Sequence, residues 1–113
     1  MKTPEHNLMN EIMLYCGKQG YISLRLNSGK AWQGIIKKTN VGIILTALKA
    51  IELCPEGTSD LLIIMPNKIA FVETKIHPRK PTERQLKFID AIKKLGHIAG
   101  VVYSLDEFIN LIK

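Results

Sequence analysis

Apolar residues recur near the N-terminus at helical spacing: Leu8, Met9, Ile12, Met13, Tyr15 and Cys16. Thr3 can cap that helix, Pro4 suits its first position, and Gly17 and Gly20 end it. Alternation follows, with Ile22, Leu24 and Leu26 set against Ser23, Arg25 and Asn27, and predicts a strand over Tyr21–Asn27. Asn27-Ser28-Gly29 makes a turn, with Ala31–Ile36 as the returning strand. From Lys37 to Cys54 the apolar residues fit neither period, and a short helix or a strand is open there.

The rest reads more clearly. Leu61–Met65 and Ile69–Lys75 are two strands joined at Pro66-Asn67, a β-hairpin. His77–Pro81 is a loop. Thr82 and Gln85 form a capping box for a second helix, whose apolar stripe is Leu86, Ile89, Ile92 and Leu95 and which ends at Gly96. Ile98–Tyr103 is a further strand. Ser104 and Glu107 cap a last helix, Leu105–Ile112. The order helix, strands, hairpin, helix, strand, helix predicts an α/β fold on a mixed β-sheet flanked by helices, with residues 1–113 as a single domain.

The hairpin gathers chemistry. Asp60 starts its first strand, and Glu73 and Lys75, two apart, share a face at the end of its second. A two- or four-residue turn sets Asp60 opposite Glu73 and Met65 opposite Lys68, whereas a three-residue turn pairs Asp60 with Thr74. Phosphodiester hydrolysis needs a divalent metal, Mg²⁺ or Mn²⁺, to neutralise the phosphate and activate a water, and Mg²⁺ takes one or two carboxylates, which Asp60 and Glu73 supply. Lys75 would orient that water and stabilise developing charge. Glu5 falls within the apolar arc of the first helix and Glu11 at its edge, so either is the candidate third acid. Gln85 falls inside the stripe of the second helix, where it serves the cap, the site or both.

Charge extends the picture. The 113 residues carry a net charge of +6, which favours a polyanionic partner. Arg25, Asn27, Ser28 and Lys30 surround one turn, and His77, Arg79 and Lys80 lie just past Lys75; both groups are candidate DNA-phosphate contacts. Trp32 reads as a core or interface anchor. Cys16 and Cys54 have no metal-ligand spacing and are expected as buried free thiols. There is no signal-peptide pattern, and no apolar run is long enough to span a membrane, so a cytoplasmic protein is expected. No nucleophile elbow or phosphate-binding glycine loop is present.

Gly57-Thr58-Ser59-Asp60, Phe71-Val72-Glu73-Thr74-Lys75, Pro81-Thr82 with Gln85, and Ala99-Gly100-Val101-Val102-Tyr103-Ser104 resemble, in this order, the virus-type replication-repair nuclease (VRR-NUC) domain. Glu5, Leu8 and Ile12, and the Arg25-x-Asn27-x-Gly29 run, fit too, so the resemblance spans nearly the whole chain and thins between Gly34 and Leu53. It implies the PD-(D/E)XK nuclease core, with Asp60, Glu73 and Glu5 holding Mg²⁺ or Mn²⁺, Lys75 as catalytic lysine and Gln85 completing the site. Ser59 stands where the superfamily name has proline, a position that shapes backbone rather than chemistry. Short stand-alone members come largely from phages and prophages and resemble homodimeric, structure-specific endonucleases of the Holliday-junction-resolvase kind, acting in DNA replication, recombination or repair. The function expected is therefore metal-dependent DNA endonuclease. The alternative is a non-catalytic basic nucleic-acid-binding module on the same fold, against which the acids and Lys75 weigh. A restriction-type or RNA-cutting enzyme is a second alternative.

Overall fold

The computed structural model describes the backbone of residues 3–26, 30–52 and 54–113, and the side chains of 3–26, 38–42 and 54–113. The chain runs α1 (Pro4–Gln19), β1 (Ile22–Arg25), β2 (Lys30–Thr39), β3 (Gly42–Glu52), β4 (Leu61–Met65), β5 (Lys68–Thr74), α2 (Glu83–Lys94), β6 (Ile98–Val102) and α3 (Leu105–Ile112). The sheet that carries the core has the order β1-β4-β5-β6. Its first two pairings are antiparallel, and β5 and β6 are parallel through the α2 crossover. This is the mixed α/β sheet flanked by helices that the pattern predicts.

Local chemistry fixes the element ends. Thr3 Oγ1 accepts from His6 N–H at the start of α1, and Gly20 closes it with φ 80°, a left-handed conformation open to glycine. In the β4–β5 hairpin Met65 faces Lys68 and Leu61 faces Val72. Pro66 and Asn67, the latter at φ 61°, form the two-residue turn. That is the register required to set Asp60 against Glu73.

Period-two alternation divides the sheet into two faces. Leu61, Ile63, Ala70 and Val72 point to one side, where Leu8, Met9, Ile12 and Cys16 of α1 and Phe108 and Ile112 of α3 complete the buried core. Lys68 Nζ donates to the Ile112 carbonyl, tying the hairpin to the end of α3. On the other face α2 packs on β5 and β6, with Phe88 edge-on to Phe71 at 5.5 Å between centroids.

Four sequence expectations are corrected. Ala31–Ile36 lies within β2, yet β2 does not return on β1: it pairs with β3 as a separate two-stranded sheet, while β1 pairs with β4. Lys37–Cys54, which fits neither period, is mostly strand, the end of β2 and all of β3; its alternation breaks where an extra residue of β3 lies opposite the step from Gln33 to Ile35. The stripe of α2 is rotated, since Ile89 is buried and Phe88 and Ile92 half-buried, whereas Leu86 and Leu95 are 50% and 72% exposed. At α3, Ser104 accepts from Glu107 N–H, but the Glu107 carboxylate accepts from Tyr103 N–H rather than from Ser104, so the box closes one residue early. Finally, both cysteines are free, but only Cys16 is buried; Cys54 is half-buried. Burial pushes the Cys16 thiol up to about 11, which makes it unreactive.

Candidate functional site

The site forms where β4 begins and β5 ends. Asp60 is tied there from both sides. Its backbone carbonyl accepts from Leu26 N–H at 2.8 Å. Its Oδ2 accepts from Thr74 N–H at 3.0 Å and from Thr74 Oγ1 at 2.8 Å. Thr74 itself is fully buried, so its hydroxyl has no solvent alternative to Asp60.

Glu73 is the deepest acid, 2% exposed on the central strand pair. Oε1 accepts from Gln85 Nε2 at 3.0 Å and lies 3.8 Å from Lys75 Nζ. Oε2 is buried and has no hydrogen-bond partner among the described residues. Burial chiefly, and the Asp60 charge next, pushes the Glu73 carboxyl up to about 8, with Lys75 opposing. Lys75 is held through its backbone N–H, which donates to the Val102 carbonyl at 3.0 Å.

The helices complete the arrangement from their first turns. Gln85 does two jobs at once: its Oε1 accepts from Thr82 N–H at 2.8 Å as the capping box requires, while its Nε2 reaches Glu73. Pairing with the cap fixes the amide orientation, which leaves the nitrogen for the acid. From α1, Glu5 brings a carboxylate oxygen into a group with Asp60 and Glu73 in which all three oxygens lie within 4.8 Å of one another. Glu11, the other helix-one candidate, is exposed. Three oxygen donors at this separation suit a hard divalent cation, and the unpartnered Glu73 Oε2 is the atom such an ion would satisfy.

The flanking basic residues divide. Arg79 is exposed and its Nη1 lies 3.6 Å from Glu5 Oε2. His77 stacks on Tyr103 at 4.2 Å and 13°. Lys80 is exposed beside them. Arg25 is exposed at the end of β1, opposite Leu61 and so one residue from Asp60. Asn27 and Ser28 lie outside the described residues, as do the side chains of Lys30 and Trp32. Sequence reasoning missed Thr74 and Tyr103. Thr74 had a signal, since alternation turns it toward the core, where a hydroxyl needs a partner. Tyr103, whose hydroxyl donates to the Arg79 carbonyl at 3.0 Å, had none before the β5–β6 pairing was known.

Three carboxylates, one from α1 and two from the β4–β5 hairpin, thus converge beside a lysine on a mixed α/β sheet, an arrangement that could hold a metal ion. A solved structure described as a VRR_NUC domain matches 98% of this chain and 96% of its own length with a TM-score of 0.65 at 23% sequence identity. At that identity the match establishes a shared fold. Neither protein-family models nor curated proteins give a match. Among the described residues, no helix is long and apolar enough to cross a membrane.

Proposed function

We propose that the protein is a VRR-NUC-type, Mg²⁺- or Mn²⁺-dependent DNA endonuclease acting as a single domain. The observation that carries this is the convergence of Glu5, Asp60 and Glu73, oxygens within 4.8 Å, beside Lys75. A bound divalent cation supplies Lewis acidity toward the scissile phosphate and makes water more acidic.

The chain's own residues do the remaining work. Asp60, Glu73 and Glu5 would hold the cation. Lys75, 3.8 Å from Glu73 and 12% exposed, sets its ammonium beside the carboxylate group, where it would orient an attacking water and stabilise charge developing on the phosphate. Thr74 and Gln85 keep the two strand acids in place. The net charge of +6, with Arg25, Arg79 and Lys80 exposed around the site, supports a duplex or branched DNA substrate.

The finer reading is a cytoplasmic, structure-specific, homodimeric nuclease of the junction-cleaving kind, encoded by a phage or prophage. Two features support a dimer. The β2–β3 ribbon does not join the main sheet, and isolated two-stranded ribbons are marginal alone. Ile22, Leu24 and Ile64 leave an apolar strip exposed on the sheet face beyond α2. Cutting both strands of a two-fold junction calls for two symmetry-related sites.

The test is incubation of labelled duplex, flap and four-way-junction DNA with Mg²⁺, with Mn²⁺ and with EDTA, for wild type and Lys75→Ala. Cutting that needs metal and is lost in the variant supports the reading, and the preferred substrate names its kind. Binding without cutting under every metal would move the assignment to a non-catalytic module.

A further inference from the structure

Among the described residues, two cations approach the carboxylate group, and they are built differently. Lys75 is 12% exposed and faces Glu73. Arg79 faces Glu5 at 3.6 Å with a side chain 75% exposed. Its backbone, in contrast, is anchored. Arg79 N–H donates to the Ile76 carbonyl at 2.9 Å, and its carbonyl accepts from Tyr103 Oη at 3.0 Å. Tyr103 is itself held against the His77 ring. A fixed backbone thus carries an exposed guanidinium.

At 3.6 Å the Arg79–Glu5 contact is an ion pair without a direct hydrogen bond, so it is held weakly and other partners compete with it. A guanidinium matches phosphate geometry at least as well as carboxylate geometry. Arg79 and Glu5 also share the wall of a pocket of about 340 Å³, with Thr3, Pro4 and Ile76–Pro78. A backbone phosphate entering there meets both groups together.

We propose that Arg79 is a positioning residue that neutralises Glu5 while DNA is absent and transfers to a substrate phosphate when DNA binds, releasing Glu5 to the divalent cation. DNA and metal binding are thereby coupled through one exposed side chain. The inference rests on the metal-dependent nuclease reading. Its consequence runs against the usual effect of deleting a site residue. Without DNA, Arg79 competes with the cation for Glu5 and repels it, so removing Arg79 strengthens metal binding. By linkage, the gain that DNA confers on metal affinity shrinks in the same variant.

The experiment is calorimetric titration of the full chain with Mn²⁺, first without DNA and then with an uncleavable phosphorothioate duplex. Wild type, Arg79→Met, Arg79→Lys, Glu5→Gln and the Glu5→Gln/Arg79→Met double variant are compared. Without DNA, Arg79→Met is expected to bind Mn²⁺ about two- to fivefold more tightly, the range an exposed ion pair supports. Arg79→Lys, which keeps the charge, stays near wild type. The gain is lost in the Glu5→Gln background, and the duplex strengthens Mn²⁺ binding less in Arg79→Met than in wild type. An unchanged or weaker Mn²⁺ affinity in Arg79→Met, or the same gain with Glu5→Gln, would overturn the proposal while leaving the nuclease reading intact. A wild-type chain that binds no Mn²⁺ would remove both.

Discussion

Gln85 holds Glu73 through the same side chain that caps α2: one amide oxygen on Thr82 N–H at 2.8 Å, its nitrogen on Glu73 Oε1 at 3.0 Å. Helix start and buried acid are therefore one structural unit. Gln85→Leu leaves Thr82 Oγ1 accepting from the backbone N–H of residue 85 but removes the other half of the capping box, and it strips a hydrogen-bond partner from a buried carboxyl. The expected loss is about 1–3 kcal/mol of stability, read from urea unfolding. Gln85→Glu keeps a capping oxygen but sets a second acid against Glu73, so it is expected to retain the cap and to become metal-stabilised more strongly than wild type. Equal urea midpoints for wild type and Gln85→Leu would show that the amide carries neither role.

Thr74 is the residue that aims Asp60. Thr74→Val preserves shape and burial and removes only the hydroxyl that donates to Asp60 Oδ2 at 2.8 Å. The backbone N–H contact at 3.0 Å remains, so the carboxylate stays in place but loses a fixed direction. Mn²⁺ affinity is expected to fall about tenfold or more, as for other groups that orient a metal ligand. Thermal stability should change far less than affinity. A valine variant with wild-type affinity would mean that the backbone contact alone sets the geometry.

Glu73 makes the metal-free protein sensitive to pH. Its carboxyl is raised from an ordinary 4.5 to about 8 in the fold, so the folded state holds a proton that the unfolded state releases. The stability it contributes is present below about 4.5 and is lost as pH rises toward 8. In EDTA, stability is therefore expected to decline between those limits, and Glu73→Gln to flatten the decline. Binding a cation must displace that proton, so metal affinity should rise over the same interval and the metal-induced increase in Tm should be larger at about pH 8 than at about pH 5.5. Thermal melts at the two pH values, with EDTA and with Mn²⁺, decide it. A metal-free protein more stable at the higher pH would contradict this environment for Glu73.

Much of the site was legible because it rests on local rules. The turn at Pro66-Asn67 sets the hairpin register, which sets Asp60 against Glu73, and period two puts Lys75 with them. Helix angle marked Gln85 and left Glu5 and Glu11 both open, and of these the structure brings Gln85 and Glu5 to the strand acids. Tertiary pairing was not legible. Nothing in β1 states that its partner is β4, far along the chain, rather than the nearer β2. The bulge near Gln33 erased the alternation that would have marked β2 and β3 as one ribbon. Leu86 and Leu95 misled because the face that α2 buries is centred on Phe88, Ile89 and Ile92, so these two leucines lie to either side of it.

Gly57 offers a test of how the loop before Asp60 is braced. Its φ is +92°, and a Cβ placed there would lie 2.8 Å from the Arg84 carbonyl oxygen. Backbone rather than a flexible side chain is in the way, so the contact cannot be relieved without moving the loop or the first turn of α2. Glu56, next in the loop, pairs with Arg84 across the same contact. Gly57→Ala is therefore expected to cost about 2–4 kcal/mol by chemical unfolding, combining the strained φ with the clash. Because Gln85 follows Arg84, the displacement should also weaken Mn²⁺ binding, whereas Glu56→Gln, which leaves the backbone contact alone, should alter neither by much. Gly17→Ala is the control: it lies inside α1 with nothing within 4 Å of a Cβ placed there, and alanine should stabilise slightly. If Gly57→Ala and Gly17→Ala behaved alike, the close approach of the loop to α2 would not be what braces the segment before Asp60.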